Sequence, residues 1–308
     1  MDDRNASSTS EQAALPPTPL THSSTELDAL AARCSFPPAG SSVVCAYSGG
    51  ADSTAMLVLA QHAQLRVTAC HVDHGVHDRS ALDADRAVAL AASLGIDCSV
   101  ERADIQAGPN LEARARTARY ALLPKGALTA HTADDQAETL LLALLRGTGI
   151  RGLAGIRASA SRPMLALRRA ETTALCRRLG IAPIDDPTNN DPRFRRNRVR
   201  HELLPLANDI AARDVVGLLT RTADTSRADD DLLEEMSMAI DPTDATALST
   251  APLPLSRRAI RRWLRYDGYP PDAAAVERVL QVAAGQHRAC EVGGRRVERR
   301  AGRLTVLA

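Results

Sequence analysis

The 308-residue sequence has almost no lysine and no long apolar run. Lys125 is the only lysine, so arginine carries nearly all of the positive charge. Such uneven usage is typical of coding bias, and only clustered arginines then indicate a nucleic-acid partner. The densest apolar run, Thr139–Leu145, is far shorter than the roughly 20 residues that cross a bilayer. Because the polar, acidic N-terminus also lacks the pattern of a secretion signal, we expect a cytoplasmic protein with no membrane partner.

Cysteines are few and scattered, and no two of them form a Cys-x-x-Cys pair. The absence of such pairs argues against a zinc site and against a disulfide framework. Most of the cysteines lie in apolar strand-like or helix-like contexts, which predicts buried free thiols. They are Cys34, Cys45, Cys70, Cys98, Cys176 and Cys290.

Charge is unevenly distributed, although the formal net charge is only +1. Residues 1–150 hold 11 basic and 17 acidic residues, a net charge of −6. Residues 151–308 hold 27 basic and 20 acidic residues, a net charge of +7. The basic half is therefore the candidate nucleic-acid face.

Strand-like and helix-like runs alternate along the first two thirds of the chain. The alternation predicts an α/β fold, with a Rossmann-like parallel sheet that has helices on both faces. The predicted strands are 42–47, 66–72, 97–102 and 127–131, and the helices between and after them are 54–63, 82–94, 111–123 and 136–145.

The composition divides the chain into three predicted parts. Residues 1–24 are rich in Ser, Thr and Pro and are expected to form a disordered tail. Residues 25–206 form the predicted α/β domain. Residues 207–308 form a smaller, mainly helical domain that closes with a short β hairpin around Gly293-Gly294.

The most informative segment joins the first predicted strand to the first predicted helix through a tight turn, Ser48-Gly49-Gly50-Ala51-Asp52-Ser53. The glycines permit the turn and the close approach of a ligand. The N–H groups and the dipole of the following helix favour an anion at this point. Neither the Walker spacing nor the Gly-x-Gly-x-x-Gly spacing of dinucleotide folds is present. The turn therefore predicts a phosphate site of another kind.

Ser-Gly-Gly-x-Asp-Ser resembles the pyrophosphate loop, or PP-loop, of the N-type ATP pyrophosphatases. These proteins cleave ATP between the α and β phosphates and transfer AMP to an oxygen. The resemblance implies that Ser48–Ser53 bind ATP. Charge on the leaving oxygens requires a cation, most simply Mg²⁺ bound through the phosphates. Asp52 either holds a metal or substrate or caps the helix that follows, and both interpretations stay open.

Two other predicted helices carry candidate site residues. Arg116, within 111–123, is placed either to steady a phosphate or to lie on a solvated arginine face. Asp135 and Glu138 are three residues apart and share a helix face. With Asp134 they either cap that helix or form a site for a cationic amine.

These segments, in their order over roughly residues 42–206, resemble the tRNA(Ile)-lysidine synthetase family, which joins lysine to the wobble cytidine of an isoleucine tRNA. The loop alone indicates only the superfamily, and the segments Asp-Asp-Gln-Ala-Glu-Thr and Asn-Arg-Val-Arg narrow it. The motifs are Ser48–Ser53, His71-Val72-Asp73-His74-Gly75, Asn110–Tyr120, His131–Thr139 with Arg146-Gly147-Thr148-Gly149, and Asp186-Pro187-Thr188-Asn189 through Asn197-Arg198-Val199-Arg200.

The resemblance implies a reaction in two steps. ATP adenylates the C2 oxygen of the cytidine and releases pyrophosphate, and the lysine ε-amine then attacks C2 and displaces AMP. His131 would lie beside the nucleotide, and Arg116 would stabilise the activated base or its phosphate. Asp135 and Glu138 would receive the lysine. The implied catalytic residues are Asp52, Arg116, Asp135 and Glu138.

The implied partners are tRNA(Ile) and L-lysine, and a homodimer is compatible with the sequence. Five arginines within eight residues support an RNA partner, and binding through phosphates should weaken with salt. The arginines expected to bind tRNA are Arg195, Arg196, Arg198 and Arg200.

Three other functions would share part of this pattern. A tRNA thiolation enzyme would use the same loop, but the lack of a Cys-x-x-Cys pair counts against it. A small-molecule ligase of the same superfamily would not need the arginine clusters. A catalytically silent RNA-binding module would not need Asp52, Asp135 and Glu138.

Overall fold

The computed structural model describes residues 24–73, 75, 80–103, 111–185, 187–265 and 270–307. The predicted tail lies outside this part of the chain apart from Ser24. In chain order the helices are α1 (Ser24–Ala31), α2 (Ala51–His62), α3 (Ser80–Ser93), α4 (Leu111–Leu122), α5 (Ala133–Leu145), α6 (Ile150–Leu153), α7 (Arg169–Arg178), α8 (Arg195–Arg198), α9 (Leu204–Ala211), α10 (Val216–Ser237), α11 (Ala245–Thr250), α12 (Leu253–Trp263) and α13 (Ala273–Ala283). The strands are β1 (Ser42–Ala46), β2 (Arg66–Asp73), β3 (Cys98–Arg102), β4 (Ala289–Val292), β5 (Arg295–Arg300) and β6 (Arg303–Leu307). A 3-10 turn covers Pro187–Asn190, and a π turn covers Val199–Leu203.

The chain divides into two compact units. The first unit comprises residues up to 132 together with 160–186, and the second comprises 133–159 and the residues from 187 onward. Within the described ranges, no helix of either unit is long and apolar enough to cross a membrane. The domain boundary predicted near residue 206 stays a prediction.

A parallel sheet in the order β1-β2-β3 forms the centre of the first unit. Successive side chains of a strand point to opposite faces, and the packing follows this alternation. Cys45 and Ala69 pack with α2, α3 and α7 on one face. Cys70 and Val72 pack with the end of α4 on the other face. The predicted parallel sheet with helices on both faces is confirmed.

The predicted strand over 127–131 is reduced to a single parallel bridge beside β1. The Leu128 N–H donates to the Val44 carbonyl oxygen over 2.8 Å. The next residue, Thr129, donates its N–H to the Ser161 carbonyl oxygen, also over 2.8 Å. Because the backbone exchanges its partner after one residue, the ladder does not extend over the predicted length.

Helix α10 is the longest element of the second unit and packs against α5, α6 and α12. Ala133 and Ala137 of α5 share a buried cluster with Val215 and Val216 at the start of α10. The sequence predicts a helix over 194–204 that ends at Pro205, and this prediction is wrong, because Pro205 lies in the first turn of α9. Proline is tolerated there because a first-turn N–H has no partner within the helix.

The end of the second unit combines α11, α12 and α13 with an antiparallel sheet, β4-β5-β6. Ile260, Val279 and Val297 are fully buried between these elements. The predicted hairpin around Gly293-Gly294 is present as β4 and β5, and β6 adds a third strand.

Candidate active site

The loop after β1 is closed by its own hydroxyl groups. Ser48 Oγ lies 3.1 Å from Ser53 Oγ, and the Ser53 hydroxyl also donates to the Gly50 carbonyl oxygen over 3.0 Å. Gly50 is the N-cap of α2 and provides no side-chain cap, so the first turn of α2 faces the loop with its N–H groups. Hydroxyls and helix N–H groups are the donors that phosphate oxygens accept from. The residues present therefore fit the phosphates of ATP.

The two glycines of the loop serve different purposes. Gly49 has a φ of +81°, and a Cβ atom there would lie 2.5 Å from Ile184 Cδ1. Only glycine meets both conditions without strain. Gly50 has a φ of −70°, which any residue adopts, and a Cβ atom there would meet only Ser48 Oγ at 3.4 Å. Gly50 therefore leaves space above the loop, whereas Gly49 fixes its backbone.

The carboxylate of Asp52 binds to α7. Arg169 Nε donates to Asp52 Oδ2 over 3.2 Å, and the Thr172 hydroxyl donates to Asp52 Oδ1. Gly50 occupies the N-cap position, so Asp52 is not the residue that caps α2. Among the described residues no group of three or more His, Cys, Asp or Glu is arranged to hold a metal. Asp52 thus links the phosphate loop to α7, a role that neither sequence interpretation included.

The carboxyl end of β2 lies next to the loop. His71 Nδ1 is 3.0 Å from the carbonyl oxygen of Tyr47, the residue that follows β1. Burial lowers the pKa of His71, which is therefore held neutral. Burial opposes the ionisation of Asp73, but hydrogen bonds from the Gly75 N–H and from Ser80 outweigh it and lower the pKa of Asp73. A neutral imidazole therefore contacts the residue that leads into the phosphate loop, and the Asp73 carboxylate lies two residues further along β2.

His131 is placed at the end of the first unit. Its Nδ1 lies 3.0 Å from the Thr129 hydroxyl, which donates in turn to the Ser161 carbonyl oxygen over 3.0 Å. This contact fixes the ring of a half-buried histidine, and its place beside the nucleotide stays a prediction. Arg116 belongs to α4 as expected, but its side chain lies outside the described part of the chain.

Asp135 and Glu138 lie on one face of α5, in the second unit. Arg196 contacts both of them: its Nη2 is 2.8 Å from Asp135 Oδ1 and its Nε is 2.6 Å from Glu138 Oε2. Arg200 Nε donates to Glu138 Oε1 over 2.8 Å, and its Nη2 lies 3.3 Å from Glu138 Oε2. The Glu138 side chain is fully buried. The predicted amine site is therefore filled by two guanidinium groups.

The arginines from 195 to 200 divide into two sets. Arg196 and Arg200 point towards α5, and their side chains are 22% and 23% exposed. Arg195 and Arg198 are exposed, and Arg198 pairs with Glu202 at 2.7 Å. Sequence reasoning assigned all four to RNA and missed this division, since inward and outward arginines look alike in a sequence.

Asn197 is a further residue that the sequence did not mark as structural. It is buried, and its Nδ2 donates to the carbonyl oxygens of Thr188 (2.7 Å) and Asp191 (2.9 Å). These bonds fix the backbone between the two inward arginines. The signal in the sequence is the asparagine within Asn-Arg-Val-Arg. An amide that becomes buried needs hydrogen-bond partners, so such a residue can hold the backbone in place.

Residues 19–207 match the family described as "PP-loop domain". Together with the sheet order and the loop geometry, this match defines a PP-loop protein, a class that uses ATP. A second family, "TilS substrate binding domain", matches residues 244–305. The chain is 41% identical over 242 residues to the tRNA(Ile)-lysidine synthase of Rhodococcus erythropolis, covering 73% of this chain and 74% of that protein. It is 37% identical over 302 residues to that of Thermobifida fusca, covering 88% and 93%. The chain belongs to the tRNA(Ile)-lysidine synthase family, as its motifs predicted.

A solved structure with a similar fold is the U34-tRNA thiolase NcsA from Methanococcus maripaludis with its [4Fe-4S] cluster. The TM-score is 0.51 at 16% sequence identity, over 66% of this chain and 77% of that one. At this identity the likeness concerns the fold alone.

Proposed function

We propose that this protein ligates L-lysine to C2 of the wobble cytidine of tRNA(Ile) with a CAU anticodon, and that it converts ATP to AMP and pyrophosphate in the cytoplasm. The observation that carries the proposal is the buried pair of carboxylates on α5, Asp135 and Glu138, in a chain that also has a PP-loop. Two carboxylates on one helix face can bind the ammonium group of an amine substrate by charge and hydrogen bonds. The similarity to the tRNA(Ile)-lysidine synthase of Thermobifida fusca, over 88% of this chain, supports the same conclusion.

In the first step the cytidine O2 attacks the α phosphorus of ATP, and the bond to the bridging oxygen of pyrophosphate breaks. Ser48, Ser53 and the first-turn N–H groups of α2 hold the leaving pyrophosphate. Charge on the leaving oxygens would be neutralised further by a Mg²⁺ ion that enters with ATP. Asp52 keeps the loop in place through α7.

In the second step the lysine ε-nitrogen forms a bond to C2, and the bond from C2 to the adenylated oxygen breaks to release AMP. The nitrogen must lose a proton to attack. Asp135 and Glu138 bind the ammonium form, and one of the two carboxylates accepts that proton. Arg116 is proposed to stabilise the activated base or its phosphate.

The RNA partner is proposed to contact the exposed arginines Arg195 and Arg198, with Arg196 and Arg200 behind them. Guanidinium groups bind phosphate in two-point contacts. Oligomeric state is independent of this assignment, and the homodimer stays a prediction.

Mass spectrometry of the anticodon fragment tests the proposal directly. The protein is incubated with tRNA(Ile), ATP and L-lysine, and we expect the wobble cytidine to gain the mass of one lysine less one water. A tRNA with uridine at this position, and a reaction without lysine, provide the controls. An unmodified cytidine together with unchanged ATP would overturn the assignment.

The thiolation alternative is disfavoured by the state of the cysteines. All six are free and lie within the described residues. Burial raises the pKa of the Cys45 thiol to about 12 and that of Cys176 to about 11. A thiolate is the reactive form in sulfur transfer, and such pKa values suppress it.

A further inference from the structure

The site proposed for the lysine amine already holds two positive charges. Arg196 bridges Asp135 and Glu138. Arg200 donates two hydrogen bonds, both to the Glu138 carboxylate. The four side chains together carry no net charge. An incoming ammonium group therefore gains little attraction until at least one guanidinium leaves.

The two arginines are well placed to leave. Their side chains are about one fifth exposed, so solvent and a ligand reach them, whereas Glu138 is fully buried. They lie on a short segment, α8 followed by the π turn Val199–Leu203. An isolated π turn is a local irregularity that occurs often at functional sites. The outward residues of the same segment, Arg195 and Arg198, are exposed on the surface.

We propose that Arg196 and Arg200 close the amine site in the free protein and that RNA phosphates draw them away, so that lysine binds after tRNA. This inference rests on the proposed function. Phosphate competes well with a carboxylate for a guanidinium, because both offer two acceptors to the same fork. Once the arginines have turned to phosphate, Asp135 and Glu138 present two negative charges to the ammonium group.

The first test measures binding of radiolabelled L-lysine to the full chain by equilibrium dialysis. A non-cleavable ATP analogue is present, and tRNA(Ile) is added or omitted. We expect the dissociation constant of lysine to fall at least about fivefold when tRNA is added, the lower end of common coupling between sites. Equal dissociation constants with and without tRNA would overturn the proposal.

The second test uses Arg196→Gln and Arg200→Gln, with Arg195→Gln and Arg198→Gln as controls on the same segment. We expect the first pair to bind lysine nearly as well without tRNA as with it. The control pair should bind tRNA more weakly but keep the wild-type ratio of the two lysine constants. A merely supporting role would weaken both constants equally and leave the ratio unchanged, which would also contradict the proposal.

A third variant guards against loss of folding. Arg200→Lys keeps the charge but not the two-point geometry, so it should fold and show a smaller ratio than the wild type. An unchanged ratio in a folded Arg200→Lys protein counts against the closure. The two proposals fail separately: wild-type protein that transfers lysine without coupling refutes only the closure, whereas protein that transfers no lysine refutes the function.

Discussion

Arg196 Nε lies 2.6 Å from Glu138 Oε2, and the carboxylate it contacts is fully buried. Removing one partner of a buried ion pair costs about 3 kcal/mol or more, because the other charge is left unpaired. Glu138→Ala therefore combines a loss of stability with a loss of function. Glu138→Gln retains the shape and an acceptor, so it isolates the role of the charge.

For Glu138→Gln we expect pyrophosphate release with tRNA and ATP to persist. The lysine concentration for half-maximal transfer should rise roughly tenfold or more, since a hydrogen bond to a charged group contributes about 1.5–3 kcal/mol. Separate assays of pyrophosphate release and lysine transfer measure the two effects. Glu202→Gln, which removes the exposed partner of Arg198, is the matched control. Equal loss of both steps in Glu138→Gln would refute the assignment of this residue to lysine.

The glycines of the phosphate loop provide a second matched comparison. Gly49→Ala forces a side chain into the left-handed region and against Ile184, so it should destabilise the protein by about 1–2 kcal/mol or more. Gly50→Ala should leave the unfolding temperature nearly unchanged but reduce pyrophosphate release, because it fills the space proposed for phosphate. Thermal unfolding and a pyrophosphate assay distinguish the two. A Gly49→Ala protein as stable as the wild type would show that the loop is not held as described.

Local sequence patterns predicted the structural features that depend on residues close together in the chain. The short apolar runs predicted β1 and β2, which pack on both faces of the sheet, and the spacing of Asp135 and Glu138 placed them on one helix face. The partners of these carboxylates are about 60 positions away, at separations of 58, 61 and 62 residues. No local pattern specifies which distant arginine turns inward.

Two further features could not be predicted from the sequence, because they too depend on residues far apart in the chain. Asp52 and its partner Arg169 are separated by 117 residues, so the choice between a cap and a metal ligand omitted the contact that the carboxylate makes. The predicted strand over 127–131 has a suitable apolar pattern. Its length was set instead by Ser161, which binds the Thr129 N–H.

The contact between Asp52 and α7 predicts a loss of ATP cleavage when it is broken. Asp52→Asn and Thr172→Val should each lower pyrophosphate release, and Asp52→Ala should abolish it, because the loop loses its attachment to α7. Arg33→Gln is the control, since Arg33 pairs with Glu171 of the same helix without touching the loop. Should Arg33→Gln reduce pyrophosphate release as much as Asp52→Asn, the attachment of α7 in general, and not Asp52, would be responsible.

Burial of His71 predicts that acid destabilises the first unit. The pKa of His71 is lowered from 6.5 in the folded state, whereas the unfolded chain takes up a proton near 6.5. Between these two values the unfolded state binds more protons, so the free energy of unfolding falls as the pH decreases, by at most about 1.4 kcal/mol per pH unit. His71→Asn keeps a donor for the Tyr47 carbonyl oxygen but has no group that titrates. Urea unfolding at pH 7.5, 6.5 and 5.5 should show a smaller loss of stability for His71→Asn than for the wild type across the lower interval, and the same loss in both proteins would contradict the burial of a neutral imidazole.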